Sequence, residues 1–296
     1  MIPKGTTKSD LALKFIDQVL SAEGNACFSE RAYLGAVNTK VKLSDWDAAD
    51  TDIIGKPKSD AHDRLDGYRA RLETLQELLY AEGKNKLLIV LQAMDTAGKD
   101  STIRHVFQGV DPLGVRVAGF KAPTPHELGR DYLWRVHHHV PGTGEIAIFN
   151  RSHYEDVLIT RVNGWIGVAE CKRRYRQIND FERMLAETGT TILKFYLHIS
   201  RDEQKKRLEE RRDNPEKQWK FHPGDLAVRA QWDDYMDAYE AAMSATSTAH
   251  APWHVIPANS KLARNLMVSR LLIESLEGLK MRYPEPEKGI SGTVIT

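Results

Sequence analysis

A lysine placed directly after a glycine, beyond a long apolar run, is a candidate phosphate ligand, and residues 87–107, LLIVLQAMDTAGKDSTIRHVF, contain one. The segment AMDTAGKDS approximates the pattern G-x-x-x-x-G-K-[ST]. In that pattern backbone N–H groups and a helix N-terminus surround phosphate oxygens while the lysine reaches across them. Ala97, Gly98 and Lys99 would form the cradle, continued by Asp100 and Ser101. Two positions depart from the pattern. Ala93 replaces the first glycine, and Asp100 stands where a magnesium-binding Ser or Thr is expected, with Ser101 one place later. Read as a bare strand-to-helix turn, the same residues would leave Gly98 serving backbone geometry and Lys99 solvated. The context favours the phosphate reading, because a strand-like run precedes the loop and Ile103, Val106 and Phe107 follow at helical spacing.

Asp95 is the anomaly in this loop. A carboxylate among anion-binding groups is unfavourable unless a cation or a proton lies between it and the phosphates. Magnesium takes carboxylate and phosphate oxygens together and is the natural mediator. Asp100 could instead cap the following helix, whereas Asp95 stands too far ahead of it to do so. A second constellation, IAIFNRSHYEDV, ends a buried run with Arg151, Ser152, Tyr154, Glu155 and Asp156. If the strands are parallel, these residues reach the same edge as the first loop. Arg151 offers the fork that suits phosphate oxygens, and an ion pair with Glu155 is compatible with that role.

These residues need a scaffold, and the chain supplies its pattern. Short β-rich runs appear at 86–92, 114–120, 145–150, 191–199 and 253–258, separated by longer helical stretches. Strands alternating with helices predict βαβ units around a mostly parallel sheet covered on both faces. Ligands in such sheets bind beyond the carboxyl ends of the strands, where the lysine loop lies. Ahead of the core, the polar segment 44–63 predicts loop, and Leu65, Tyr68, Leu72, Leu75 and Leu79 mark a helix. A last helix from Lys261 carries Leu262, Leu266, Ile273 and Leu276 on one face.

Composition sets the outer bounds. The 296 residues are 41% hydrophobic, which suffices for a large core, and 42 Lys and Arg against 41 Asp and Glu give a formal charge of +1. No global field therefore draws the protein to nucleic acid or to a membrane. The two cysteines, Cys27 and Cys171, fit a reducing compartment. No signal-peptide pattern and no run of about 18 apolar residues occurs, so a soluble cytoplasmic protein is expected. His137, His138 and His139, with His105 and His153 elsewhere, lack the i, i+4 arrangement of a helical zinc site. Trp134, Trp219, Trp232 and Trp253 read as packing anchors, since no basic stripe interleaves them.

With these stretches in view the chain resembles the polyphosphate kinase 2 family. The blocks that carry the resemblance are MDTAGKDSTIRHV, KAPTPHELGRDYLWRVHHHVPGTGEIAIFNRSHYEDVL, HISRDEQKKRLEERRDNPEKQWKF, WDDYMDAYE and APWHVIPANSK, together spanning roughly residues 62–280. The resemblance implies an α/β fold, a three-layer α/β/α P-loop kinase-like parallel sheet with a helical lid and an N-terminal helical extension. Its parts would be a largely helical accessory region over 1–85 and a kinase core over 86–296, with the lid at about 200–225. It implies reversible phosphoryl transfer between inorganic polyphosphate and adenine, or guanine, nucleotides. It further implies a magnesium requirement that manganese can meet, a tunnel for the phosphate chain, and a homodimer or homotetramer. Asp95, Lys99 and Arg151 fall on the family's catalytic positions. Asn150 departs from the branch that reads DRSWYNR, because an amide is a poorer magnesium ligand than a carboxylate, leaving Asp95 with Glu155 or Asp156 to hold the metal. The FNRSHYED form is similar to the third class, whose members phosphorylate both AMP and ADP.

Phosphoryl transfer works by alignment and charge neutralisation, and a nucleotide phosphate is already ionised near neutral pH. A strong general base is unnecessary. For the lid the candidates are Arg207 and Arg211, which share a face at i, i+4, although Glu203, Glu209 and Glu210 offer helix pairs to neighbouring cations. Lys172, Arg173, Arg174 and Arg176, with no acid interleaved, suggest a wall for a long polyphosphate, and Lys121, Glu127, Arg130 and Glu155 are candidates for the nucleotide pocket. Two other functions share the loop. An ATP-dependent kinase of a nucleotide or small metabolite would not need the basic wall, and a binding module that lost its chemistry would fit the altered loop.

Overall fold

The computed structural model describes residues 40–55, 59–287 and 290. Residues 40–55 run irregularly, with 3-10 turns at Leu43–Asp45 and Asp52–Ile54. Helix and strand then alternate through α1 (Asp60–Glu82), β1 (Lys86–Gln92), α2 (Lys99–Val106), β2 (Val115–Gly119), α3 (Pro125–Leu128), α4 (Trp134–His137) and β3 (Ile146–Asn150). After a 3-10 turn at His153–Asp156 come α5 (Ile159–Val162), α6 (Val168–Glu187), β4 (Thr190–His198), α7 (Arg201–Asp213), α8 (Gly224–Ala230), α9 (Trp232–Thr246), β5 (Trp253–Pro257) and α10 (Lys261–Gly278). The five strands coincide with the predicted runs to within a residue or so at each end. The segment expected to be loop to residue 63 enters α1 at Asp60.

The strands form one parallel sheet in the order β2-β3-β1-β4-β5. β1 lies at its centre and is buried from Leu87 to Gln92, which is why its sequence is continuously apolar rather than alternating. β2, at the edge, exposes Arg116 and Val117. One face of the sheet carries α10, which packs on α1 and α2; the other carries α6 and α9 in mutual contact. Because α10 lies between the sheet and α1, it is buried nearly all round, and Arg264, Asn265 and Ser269 are enclosed along with the leucines. The accessory role expected for residues 1–85 falls partly outside the described residues. Within them, Leu72, Leu75 and Leu79 of α1 belong to the same core as the sheet, as do Val41 and Leu43.

A charged network crosses this core beneath the strand ends. Lys194, fully buried on β4, donates to Glu182 Oε2 (2.6 Å), to the Tyr154 hydroxyl (2.9 Å) and to the Thr246 carbonyl (2.7 Å). Glu182 Oε1 accepts from the Tyr154 hydroxyl (2.9 Å) and meets His153 Nε2 (3.2 Å). All three ammonium protons are thereby used, as a buried charge requires. Burial lowers the pKa of Lys194, and Lys194 with His153 holds Glu182 below its ordinary value against its own burial. The network fastens residues 153–154, just beyond β3, to β4, α6 and α9, and so fixes where Arg151 emerges.

Candidate active site

The loop between β1 and α2 turns through two left-handed residues, Thr96 (φ 69°) and Gly98 (φ 109°). Glycine is required at 98 for a second reason: a Cβ there would fall on the guanidinium of Arg264. Lys99 folds back across the loop and donates to the Ala93 carbonyl (2.8 Å). Arg151, the first residue beyond β3, is also left-handed (φ 65°), and its N–H donates to the Leu91 carbonyl (3.2 Å) across the neighbouring strand. A non-glycine residue held there stores strain of the kind that accumulates at functional sites. The turn sends the Arg151 side chain to Asp95, with Nη2 3.1 Å from Oδ1.

Asp95, Lys99, Arg151 and Glu155 therefore form one constellation at the rim of the sheet. Burial lowers the pKa of Lys99, while Asp95 opposes the shift. For Arg151 burial works against the charge, but Glu155 and Asp95 outweigh it and the pKa rises. Glu155 is pushed up by burial, only partly offset by Arg151 and Lys99. Across the site, Tyr235 of α9 is pushed up to about 12 by burial, with Glu155 and Asp95 adding to the effect. Asp225 of α8, raised by burial and by Asp95, lies 3.5 Å from Arg211.

Asp100 does not cap α2. Its Oδ1 accepts from Asn150 Nδ2 at 2.6 Å, so a carboxylate stands on the loop directly opposite the amide that ends β3. Hard oxygen donors from Asp95 and Asp100 on this loop are of the kind that magnesium takes, with phosphate oxygens and waters able to fill its remaining positions. Among the described residues no group of three or more His, Cys, Asp or Glu is placed to hold a metal, so phosphate oxygens would have to complete such a site.

Several expected site residues serve elsewhere. Arg207 is buried, and all five donors are used within the protein: Nε on Glu203 (2.8 Å), Nη1 on the Thr96 and Ala97 carbonyls, Nη2 on those of Ala258 and Asn259. This corrects its assignment to phosphate, since no N–H remains to offer; it supports the loop from within. Arg211 turns to Asp225 and the Lys220 carbonyl. Ser101 faces Arg264 and His105. Glu127 closes a capping box with Thr124, which occupies the carboxylate assigned to the nucleotide pocket. Arg130 stacks on Trp134 (4.4 Å) and donates to the His126 carbonyl, while Lys121 is exposed. The basic run of α6 has a nearby acid after all, because Glu170 pairs with both Arg173 and Arg174; Lys172 and Arg176 remain exposed. Trp232 and Trp253 are packing anchors, but Trp219 is 78% exposed beneath Lys220.

The sequence reading missed Gln204, whose amide donates to the Asp95 carbonyl (3.1 Å), and Arg264. An arginine on the mostly apolar helix KLARNLMVSRLLI was the available signal for the second.

A parallel sheet in this order, with a lysine loop beyond its central strand facing an arginine–aspartate pair, defines a P-loop kinase-like α/β protein. The profile of Polyphosphate kinase 2 (PPK2) matches residues 56–284. The chain belongs to the polyphosphate kinase 2 family. It is 58% identical over 256 residues to the AMP/ADP-polyphosphate phosphotransferase of Meiothermus ruber, covering 86% of this chain and 96% of the relative. It is 45% identical to the ADP-polyphosphate phosphotransferase of Rhodopseudomonas palustris, over 83% of this chain and 89% of that one. The crystal structure of Polyphosphate Kinase 2 from Arthrobacter aurescens TC1 superposes with a TM-score of 0.84 at 49% identity, covering 86% of this chain and 92% of that chain. No helix among the described residues is long and apolar enough to cross a membrane.

Proposed function

We propose that the protein transfers a phosphoryl group from inorganic polyphosphate to AMP or ADP. The observation that carries this reading is the joining of Asp95, Lys99 and Arg151 at the rim of the sheet, with Arg151 fixed 3.1 Å from Asp95. Two polyanions repel as they approach, and the residues gathered here reduce that repulsion. Lys99 and Arg151 place positive charge where the transferring group would lie, and Asp95 holds Arg151 in orientation. The acceptor phosphate is already ionised near neutral pH, so the constellation needs no base beside it. Asp95 and Asp100 are the carboxylates that would hold magnesium, with the half-buried Glu155, whose charge acts on Arg151, in support. When bound, the ion would neutralise charge on the phosphate oxygens. The exposed cations Lys172 and Arg176 of α6 would lie along a longer phosphate chain.

The test is to incubate purified protein with ADP, magnesium and polyphosphate in the absence of ATP. ATP should form, and with AMP as acceptor ADP should appear first. ATP formation should require polyphosphate; an ATP-dependent kinase of a nucleotide or small metabolite would make ATP from ADP, if at all, equally without polyphosphate, and a binding module would make none.

A further inference from the structure

Arg264 of α10 has 0% of its surface exposed, yet no carboxylate pairs with it among the described residues. Its guanidinium donates to the Ala97 carbonyl (3.0 Å), to Ser101 Oγ (3.3 Å) and to Asn265 Oδ1 (2.9 and 3.2 Å), all neutral acceptors. The neighbouring charge is another cation, Arg207, whose own charge Glu203 balances. A buried charge satisfied by hydrogen bonds but left without a counter-charge is strongly unfavourable in a folded chain. The phosphate loop itself is shaped around it, since Gly98 is the one residue type whose missing Cβ leaves room for the guanidinium.

We propose that Arg264 is a positioning residue whose counter-charge is the phosphate held on the other side of the loop. From beneath, it draws the Ala97 carbonyl toward the protein interior, which keeps that oxygen from the anion, and it lends the loop a positive charge with which no carboxylate among the described residues pairs. Arg207 holds the Thr96 and Ala97 carbonyls in the same way, but as half of an ion pair it adds orientation without net charge. Burial and Arg207 lower the pKa of Arg264 to about 10, which still leaves it charged at neutral pH. The inference rests on the reading of this loop as a polyphosphate site.

The experiment compares the full-length protein with Arg264→Lys, which keeps the charge, and Arg264→Gln, which keeps polar contacts and loses it. Tripolyphosphate binding is measured by calorimetry, with thermal midpoints taken with and without tripolyphosphate. The lysine variant should bind within about threefold of wild type, and the glutamine variant about tenfold or more weakly, with a smaller tripolyphosphate-induced rise in midpoint. A purely structural role would make affinity follow the unliganded midpoint in both variants. Wild-type affinity in the glutamine variant, or equal losses in the two, overturns the proposal. Should the glutamine variant not fold, the lysine variant decides alone: affinity within about threefold supports the proposal, and a loss of about tenfold overturns it. Wild-type protein that binds tripolyphosphate without making ATP from ADP refutes the functional reading and leaves the role of Arg264 to be judged on binding; failure to bind refutes both.

Discussion

Replacing Lys99 with methionine retains most of the side chain's bulk and removes its charge, which isolates the electrostatic contribution of the loop. The ammonium is already in place across the loop, held by the Ala93 carbonyl at 2.8 Å, so little reorganisation precedes its action. A unit charge about 4 Å from phosphate oxygen charge, at an effective dielectric constant of about 20, contributes about 4 kcal/mol. If that interaction is realised in the transition state it amounts to about a thousandfold in rate. The side chain is only partly buried, so solvent screens some of this, and the expected loss in kcat lies between about a hundredfold and a thousandfold. Folding should survive, because burial already disfavours the charge and the partner lost is one backbone carbonyl. The assay is the initial rate of ATP formation from ADP, magnesium and polyphosphate, with a urea titration on the same preparation. A folded variant within about tenfold of wild-type kcat would refute the reasoning, since the charge would then contribute less than about 1.4 kcal/mol to the transition state.

His254 is 3% exposed, neither ring nitrogen has a hydrogen-bond partner among the described residues, and burial, with Lys194 adding, lowers its pKa to about 4. The folded state therefore binds fewer protons than the unfolded one between that value and the ordinary histidine value of about 6.5, and stability falls as pH drops through this window, by up to about 3 kcal/mol. Urea titrations across the window should show that slope in wild type and a flatter one in His254→Phe; equal slopes would exclude His254 as the source. Lys194→Met leaves Glu182 buried without its cation and should lower unfolding free energy by about 3–5 kcal/mol, whereas adding Glu182→Leu should recover much of the loss. A single variant costing under about 1 kcal/mol in chemical denaturation would show that the pair does not carry that weight.

The fold was legible in the sequence because its strands are buried on both faces: a run such as LLIVLQ has no alternation to misread, and helical spacing between the runs leaves a parallel sheet as the simple arrangement. The strand–loop–helix around Gly98 and Lys99 was legible because glycine before lysine at a strand end is a local pattern, and Asp95 stood out because a carboxylate there conflicts with its neighbours. Charge partners were not. Arg207 and Arg211 look equivalent on a helical wheel, yet one is enclosed by four carbonyls and a glutamate while the other faces Asp225. Likewise nothing within FNRSHYED tells that Asn150 meets Asp100, 50 positions earlier in the chain. Periodicity and turn chemistry are set by neighbours along the chain, so the sequence determined the elements and the lysine loop by itself. Which cation stays available to a ligand, and which is spent inside the protein, depends on groups that only packing brings within hydrogen-bond reach, and that the tertiary structure alone decided.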